Sequence, residues 1–282
     1  MAIDHVLKLY SKTIQSSFLH YGFWDNPSLI DLESMTLQEV KKAQTRYIEN
    51  LSSFIPEDVK YILDVGCGIG GNTEFLMNIG YELEALSPDD FQQSVIKEKF
   101  ASKVPFYHCK FEDFQVEKKF DLILESESAC YIKINEGFSK AREALRDGGY
   151  LLASDYFVHF KDTSKNPHLK SSHDLKKYLA TAKEQGFELI REYDQTENTM
   201  PTLDYGKYFI NRFIEPTIDY ISYSSKKSFP KMAPIIGSFI RSKYDLKKKQ
   251  LDLLDSNLFR KYRKYMIFLF KKIFSHCKRT RF

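Results

Sequence analysis

The sequence predicts an α/β fold in which helices cover both faces of a mostly parallel, doubly wound sheet. Strand-like and helix-like patterns alternate between residues 56 and 195, and a glycine-rich turn follows the first predicted strand, Tyr61–Val65. Strands separated by single helical patterns are typical of βαβ units, which place neighbouring strands parallel. The alternation stops near residue 200, and a last apolar run, Tyr265–Phe270, predicts a returning strand.

Each element of this core is predicted from a short pattern. Apolar runs bounded by turn residues predict strands at Tyr61–Val65, Tyr81–Leu86, Val104–His108, Phe120–Glu125, Tyr150–Val158 and Phe187–Tyr193. Amphipathic stretches predict the helices Gly71–Asn78, 88–101, 135–146 and 173–185. Asp147-Gly148-Gly149 is typical of a tight turn, so the fifth strand is expected to begin after it.

The N-terminal part, residues 1–55, is predicted to be helical. One helix is expected within residues 1–35. A second helix is expected to begin after Thr36, because Thr36 and Glu39 have the spacing of a capping box.

The C-terminal part is predicted from the change of pattern. Residues 200–262 are expected to form a helical lid inserted before the last strand, over the carboxyl ends of the other strands. Residues 263–282 are expected to supply the last strand and a basic tail. The chain, residues 1–282, is therefore predicted to be a single domain.

Composition excludes several classes of protein. Apolar residues make up 43% of the 282, with 23 Phe and 18 Tyr, which excludes a wholly disordered chain. Apolar runs such as Met266–Phe270 are too short to cross a bilayer, and the N-terminal residues do not resemble a signal peptide, so a cytoplasmic protein is expected. The cysteines are far apart and have no His at metal-ligand spacing, so neither a disulfide framework nor a metal site is expected. They are Cys67, Cys109, Cys130 and Cys277.

Charge is distributed unevenly along the chain. Residues 241–282 carry 14 Lys and Arg against 3 Asp, whereas the first 240 residues hold 28 basic and 35 acidic residues. A basic tail favours an anionic partner, such as a phosphorylated substrate or a membrane surface, and a solvated lysine-rich face is the alternative. The sequence contains no nucleic-acid-binding module, so no nucleic-acid partner is expected.

The most informative stretch is Leu63–Gly71 (LDVGCGIGG), where a buried strand runs into four glycines. Glycines let the backbone turn tightly and approach a ligand closely. The spacing of Gly66, Gly68 and Gly71 also occurs in dinucleotide sites. Asp64, however, would repel a pyrophosphate and would suit the ammonium group of S-adenosylmethionine. The stretch therefore favours S-adenosylmethionine, with a nicotinamide cofactor as a distant alternative.

Five further segments, together with this loop, resemble the motifs of class I S-adenosylmethionine-dependent methyltransferases. They are His20–Trp24 (HYGFW), Met35–Glu39 (MTLQE), Leu86–Pro88 (LSP), Phe111–Phe114 (FEDF) and Leu145–Gly149 (LRDGG). The chain is most similar to the subgroup of tocopherol, sterol and geranyl diphosphate C-methyltransferases and cyclopropane fatty acid synthases. The resemblance covers about residues 18–155. It implies a Rossmann-like, seven-stranded sheet and an enzyme that uses S-adenosylmethionine.

The resemblance also implies roles for individual residues. The methionine moiety would be held by Asp64 and the glycine backbone, Tyr21 would close over its carboxylate, Phe111 would lie against the adenine and Glu112 would accept from the adenine amine. Most family members have an acid for the ribose at the end of the second strand, where this chain has Ala85-Leu86, and Asp90 is the candidate substitute. The predicted cofactor-binding residues are Tyr21, Asp64, Gly66, Cys67, Gly68, Gly70, Leu86, Ser87, Asp90, Phe111, Glu112 and Glu125.

The end of the fourth predicted strand suggests the catalytic group. Residues 125–131 (ESESACY) are similar to a segment of prenyl diphosphate C-methyltransferases, with Glu127 in the acidic and Tyr131 in the aromatic position. Methylation of an alkene forms a carbocation, which needs negative charge, aromatic faces and a base. Glu127 and Tyr131 are therefore the predicted catalytic residues. The alternative is that Glu127 only caps the next helix.

The acceptor stays open at this stage. Aromatic residues are dense between 200 and 262, and with the basic tail they favour a small apolar or lipid-like acceptor that carries an anionic group. An O- or N-methyltransferase with His159 as base is the first alternative. A non-catalytic protein that binds S-adenosylmethionine and contacts a membrane through its tail is the second. His168 and His173 are expected to lie in a surface loop.

Overall fold

The computed structural model describes residues 15–160, 173–228 and 251–273. They form a seven-stranded sheet with the strand order β3-β2-β1-β4-β5-β7-β6. The strands are β1 (Tyr61–Val65), β2 (Glu82–Leu86), β3 (Phe106–Tyr107), β4 (Phe120–Ser126), β5 (Leu145–Val158), β6 (Phe187–Asp194) and β7 (Arg263–Lys272). The α-helices are α1 (Leu37–Ser52), α2 (Gly71–Asn78), α3 (Asp90–Phe100), α4 (Ile134–Ala144), α5 (Leu175–Glu184), α6 (Thr196–Phe209), α7 (Glu215–Ser228) and α8 (Ser256–Tyr262).

The direction of the strands places a crevice at one edge of the sheet. Strands β1 to β5 pair in parallel, and β7 pairs antiparallel to both β5 and β6. The chain order reverses between β1 and β4, and ligands of such sheets bind beyond the carboxyl ends of the strands at this switch point. The predicted α/β fold is therefore confirmed.

Both faces of the central strands are buried, as expected for a sheet covered by helices. On one face Leu63 and Ile123 pack with Phe138 of α4 and with Phe268 of β7. The opposite face packs against Tyr47 and its neighbours on α1 and against the apolar residues of α6. The sheet thereby holds the strand ends that surround the crevice in fixed positions.

Most element bounds follow the sequence pattern, with one clear departure. The predicted helix Gly71–Asn78 coincides with α2, and Thr36 caps α1 in a capping box with Glu39. The predicted turn at 147–149 is wrong as the start of the fifth strand, because β5 already begins at Leu145. Its glycines are accommodated within the strand, where pairing with β4 shifts register between Phe120 and Leu122.

The N-terminal segment is irregular over its described residues, and the helix expected within residues 1–35 stays a prediction. Between residues 15 and 35 the structure contains a short 3₁₀ turn, Pro27–Leu29, and no α-helix, while residues 1–14 lie outside the described part. The segment instead hydrogen-bonds to other elements: the Phe23 N–H donates to Ala43, and the Trp24 N–H donates to Asn198. These contacts satisfy its backbone groups without a helix.

The helices before β7 begin earlier than predicted. Helix α6 starts at Thr196 and continues through a π-helical turn, Ile210–Ile214, into α7. After residue 250 a 3₁₀ turn and α8 lead into β7. In the described part of the chain, no helix has the length and apolar character needed to span a bilayer.

Candidate active site

A cleft of about 590 Å³ lies at the carboxyl ends of β1, β2 and β4. Its size falls in the range of small-molecule and cofactor sites. Its walls come from the glycine loop, the N-terminal segment, the ends of β2 and β4 and the 3₁₀ turn that starts at Phe111. The lining residues include Leu19, His20, Gly66, Cys67, Gly68, Leu86, Ser87, Asp89, Lys110, Phe111, Glu112, Glu127, Tyr131 and Lys133.

The glycine loop forms the floor of this cleft because side chains are excluded from it. Gly66 has φ +74°, which other residues rarely adopt, and a Cβ there would collide with Ser128. A Cβ at Gly71 would collide with the carbonyl oxygen of Ser17. The loop can thus bring its backbone close to a ligand, while the N-terminal segment lies directly on it.

Buried polar contacts fix the N-terminal segment over the loop. The Gln44 amide of α1 donates to the carbonyl oxygen of His20 at 2.7 Å. The buried His20 ring contacts the Tyr21 carbonyl through Nδ1 and the Asn72 side chain of α2 through Nε2, at 2.7 and 3.0 Å. Burial lowers the pKa of His20 to about 4, so this ring is neutral at ordinary pH. In the sequence, His20 was placed in the HYGFW segment without a role of its own, and Gln44 was missed, because a single Gln carries no pattern.

The predicted residue Asp64 lies behind the loop and outside the cleft lining. Its buried carboxylate accepts a hydrogen bond of 2.7 Å from the hydroxyl of Thr73 on α2. Burial raises the pKa of Asp64 to about 6, and the Thr73 hydrogen bond opposes the shift. In this arrangement Asp64 ties β1 to α2, and direct contact with a cofactor stays a prediction.

At the end of β2 the structure brings a neighbouring acid to the cleft. Asp89, the N-cap of α3, lines the cleft beside Ser87. The predicted Asp90 lies outside the lining, and its carboxylate is 3.2 Å from His108 Nε2. Asp89 was missed, although its place just before a predicted helix could have identified it as an N-cap.

Phe111 and Glu112 lie in the wall opposite the glycine loop. Both residues line the cleft, Phe111 is buried, and their predicted contacts with an adenine stay a prediction. Glu112 already accepts a hydrogen bond of 3.1 Å from the Lys133 N–H. This contact joins the two walls at one end of the cleft.

Glu127 occupies the end of the cleft near β4 in an unusual backbone conformation. Its φ of +53° lies in the left-handed region, where a non-glycine residue is uncommon and often marks a functional site. Its carboxylate accepts hydrogen bonds from the Tyr21 N–H at 2.8 Å and the Tyr265 hydroxyl at 2.5 Å. Burial raises the pKa of Glu127 to about 8, and both hydrogen bonds oppose that shift.

Tyr131 stands at the mouth of the cleft with 78% of its surface exposed. The turn that carries it is held from two sides. Asp155 accepts from the Cys130 N–H at 2.8 Å, and His173 Nε2 lies 2.8 Å from the carbonyl oxygens of both Ala129 and Ile132. His173 lies in the loop before α5, as predicted, but it is half-buried because its ring contacts this turn.

Four other predicted residues divide between the cleft and the core. Cys67 and Leu86 line the cleft, as predicted. The Tyr21 ring lies outside the lining, with its centroid 5.5 Å from that of Tyr265. Glu125 is buried beside Asp155 and Tyr178 and also lies outside the cleft, so its cofactor role stays a prediction.

The other predicted sites can be placed as well. His159 is exposed, and its Nε2 lies 3.2 Å from the carbonyl oxygen of Arg260, away from the cleft lining. Within the described ranges, no group of three or more His, Cys, Asp or Glu is arranged to hold a metal ion. His168 and Cys277 lie outside these ranges.

Comparison with known proteins identifies relatives with similar motifs. A tocopherol O-methyltransferase of Arabidopsis thaliana is 28% identical over 141 residues, which cover 45% of this chain and 40% of that protein. The O-methyltransferase cnsE of Penicillium expansum is 25% identical over 220 residues, covering 69% of this chain and 76% of that protein. The chain thus spans less than half the length of the tocopherol methyltransferases that it matches.

Solved structures share the fold at low sequence identity. A putative sarcosine dimethylglycine methyltransferase from Galdieria sulphuraria superposes with a TM-score of 0.69 at 18% identity, covering 96% of this chain and 99% of that one. Geranyl diphosphate C-methyltransferase from Streptomyces coelicolor, in complex with Mg²⁺, geranyl diphosphate and S-adenosyl-L-homocysteine, gives 0.64 at 14% identity, covering 93% and 92%.

The family model described as a methyltransferase domain matches residues 40–198, which is more than half of the chain. The matched region includes the glycine loop, both glutamates at the end of β4 and the first six strands. The prediction of a class I, S-adenosylmethionine-dependent methyltransferase is confirmed at the level of family, enzyme class and cofactor. The chain belongs to the methyltransferase domain family.

Proposed function

We propose that this chain transfers a methyl group from S-adenosylmethionine to a small apolar acceptor, with Glu127 as the catalytic carboxylate. The observation that carries the proposal is the continuity of one cleft from the glycine loop to Glu127. A cofactor and a carboxylate that share one cleft can act on the same acceptor, because catalysis depends on positioning as well as on chemistry.

The residues of the cleft fit the cofactor. The glycine backbone offers close approach where a Cβ would be blocked, and Ser87, Asp89 and Glu112 supply polar groups along the walls. Bound S-adenosylmethionine would supply an electrophilic methyl group. We propose that Asp89 takes the ribose role first predicted for Asp90, because Asp89 is the one on the cleft wall.

Glu127 would act on the acceptor through its charge. As a carboxylate it stabilises positive charge that develops on an acceptor carbon, and it can then take up a proton. Its pKa of about 8 keeps much of the group protonated at neutral pH. A cation placed nearby would favour the ionised form. Tyr131 would offer an aromatic face at the mouth of the cleft.

The acceptor class is proposed from the surroundings of the cleft. The exposed side chains of Lys110 and Lys133 belong to residues that line it, beside the apolar Ile132 and the Tyr131 ring. This combination supports an apolar acceptor with an anionic group. We propose that residues 200–262 serve as its lid within a single domain, because α6 packs on the N-terminal segment that covers the glycine loop.

A membrane is the proposed source of such an acceptor. Phe213, Tyr220 and Tyr223 lie at helical spacing and are exposed by 51%, 68% and 63%. Tyrosines suit the membrane interface, and the 14 Lys and Arg after residue 240 would add attraction to anionic lipids. Binding to anionic vesicles that weakens with salt is expected, and no sedimentation with such vesicles would contradict it.

O-methylation is the second candidate, favoured by the O-methyltransferases among the relatives. The predicted base for that reaction, His159, lies outside the cleft lining. Glu127 is then the group placed to remove a hydroxyl proton. Product structure distinguishes the two reactions, since an O-methyl group and a C-methyl group differ in carbon-13 chemical shift.

The test is transfer of labelled methyl from S-adenosylmethionine into a lipid-rich host extract, partitioned between organic and aqueous phases. We expect label in the organic phase with the wild-type protein. Gly71→Val should abolish both cofactor binding and transfer, because its side chain would collide with Ser17. Label confined to the aqueous phase would contradict the apolar acceptor, and transfer by Gly71→Val at the wild-type rate would contradict the cofactor site.

A further inference from the structure

A buried chain of hydroxyl groups leads from Glu127 into the core of the molecule. The Tyr265 hydroxyl lies 2.5 Å from the Glu127 carboxylate and 3.2 Å from the Tyr47 hydroxyl. Tyr47 in turn lies 2.7 Å from Ser154 Oγ, which accepts from the Gln195 amide at 2.9 Å. Tyr47, Ser154, Gln195 and Tyr265 are each completely buried.

The fold brings these groups together from distant parts of the sequence. Strand β7 pairs antiparallel with β5, which sets Tyr265 opposite Tyr156. Glu127 directly follows the end of β4, the other neighbour of β5. The Glu127 N–H donates to the Ser154 carbonyl oxygen at 2.8 Å, which fixes the backbone of the same residue. Backbone and side chain of Glu127 are thus both anchored to the β5–β7 pair.

The donors and acceptors around Glu127 favour its ionised form. An ionised carboxylate only accepts, so in the 2.5 Å contact the Tyr265 hydroxyl donates its hydrogen bond to Glu127. The Tyr47 hydroxyl donates to Ser154 Oγ, and its oxygen lies 3.2 Å from that of Tyr265. A hydrogen bond donated to the charged form of a carboxylate stabilises that form.

We infer that Tyr265 is a positioning residue that fixes the Glu127 carboxylate in the cleft and stabilises its ionised form. The inference rests on the proposed function only for what Glu127 does to the acceptor. Tyr265 does not line the cleft, so it acts through Glu127.

Several other titratable or charged groups lie around Glu127, and they do not all affect its pKa in the same direction as Tyr265. The titratable groups that interact with it are Asp155 and Tyr156 on β5, Cys130 after β4, Tyr47 on α1 and Tyr265 on β7. The charged Arg263 of β7 lies over the Tyr156 ring. Asp155 raises the pKa of Glu127, whereas Tyr265 lowers it. Tyr265 is therefore the side chain whose removal should raise that pKa further.

The experiment measures the ionisation of Glu127 without any acceptor. Carbon-13 carboxyl-labelled glutamate in the intact protein is titrated by NMR, and Glu127→Gln assigns the signal by its disappearance. The wild-type midpoint is expected near 8, and Tyr265→Phe should raise it by about one pH unit. An unchanged midpoint in a folded Tyr265→Phe protein would overturn the inference.

Two further variants make the test independent of one substitution. Tyr47→Phe should raise the midpoint by a smaller amount, because it removes the hydroxyl that lies 3.2 Å from the Tyr265 hydroxyl and helps to hold it in place, and it decides the test if Tyr265→Phe does not fold. Tyr61→Phe is the matched control, since Tyr61 stands at the start of β1, outside the cleft lining and at the opposite end of the strand from the glycine loop. Equal shifts in Tyr61→Phe and Tyr265→Phe would overturn the inference.

Methyl transfer separates this inference from the proposed function. If Glu127→Gln transfers methyl at the wild-type rate while Tyr265→Phe moves the midpoint, the catalytic role of Glu127 fails and the positioning contact stands. If Glu127→Gln is inactive and Tyr265→Phe leaves the midpoint unchanged, the positioning role fails and the catalytic role stands.

Discussion

Two glutamates that are separated by a single residue occupy very different regions of this molecule. Glu125, near the end of β4, is buried at 3% exposure beside Asp155 and Tyr178. Glu127 lies on the wall of the cleft. Burial raises the pKa of each to about 8. A raised pKa therefore reports desolvation in both regions, and only access to the cleft separates a candidate catalytic group from a structural one.

Backbone geometry explains why the two side chains diverge. In a regular strand, residues two apart point to the same face of the sheet. Glu127 comes just after β4 and has a φ of +53°, so the chain turns there. Glu125 keeps the strand direction and enters the core, while Glu127 is redirected into the cleft.

The largest expected difference between the two regions is in catalysis. Glu127→Gln should retain S-adenosylmethionine binding and lower methyl transfer about a hundredfold or more, because it removes the proposed base. Glu125→Gln should stay within about threefold of wild type, because its side chain lies outside the cleft. Labelled-methyl transfer at saturating cofactor, with cofactor binding measured by calorimetry, gives both values.

Two results would contradict the assignment of a catalytic role to Glu127 and a structural role to Glu125. A hundredfold loss in Glu125→Gln with normal unfolding would show that the buried region takes part in the reaction. Full activity in Glu127→Gln would remove the catalytic role of the cleft carboxylate.

The same turn shows what sequence could and could not predict. The alternating pattern and the glycine loop predicted the sheet, α2 and the position of the cleft, because those features depend on local periodicity and backbone freedom. Glu125 and Glu127 were both assigned to the site from their place at a strand end. Only the left-handed conformation of Glu127 separates them in space, and no local signal in a glutamate predicts it.

Long-range contacts account for the rest of what was missed. Tyr265 reaches Glu127 across 138 positions of sequence through the pairing of β7 with β5. Its own segment predicted a buried strand and nothing more. Asp90 was also selected from the sequence where the structure places Asp89 in the cleft lining. Side chains at adjacent positions of a helix start point in different directions. Residue type was informative there, while the direction of the side chain depended on the helix cap.

A second expected difference concerns stability and its dependence on pH. Glu125 has an ordinary pKa of 4.5 that burial raises to about 8, so the native state holds a proton that the unfolded state releases between these values. The free energy of unfolding should therefore fall as pH rises through this window, by about 1.4 kcal/mol per pH unit for each such group. Between pH 6 and 8, Glu125→Gln should remove about half of the slope, since Glu127 contributes the other half.

Urea unfolding at several pH values measures this slope. Glu188→Gln on the exposed strand β6 is the matched control and should leave it unchanged. A wild-type free energy of unfolding that rises between pH 6 and 8 would contradict the shift assigned to both glutamates.

The smallest expected difference arises from Asp155, which lies near both glutamates. Its charge raises both pKa values; it ranks directly after burial for Glu125, whereas for Glu127 it ranks after burial and both hydrogen bonds. Asp155→Asn removes a like charge, so both pKa values should fall, by roughly half a unit for Glu125 and less for Glu127. The carboxyl NMR titration resolves the two signals, and Asp147→Asn, on the same strand beside Lys272, is the control. A larger shift at Glu127 than at Glu125 would mean that Asp155 acts mainly on the cleft. The effect of Asp155 could then no longer be used to distinguish Glu125, as a buried structural carboxylate, from Glu127, as a cleft carboxylate.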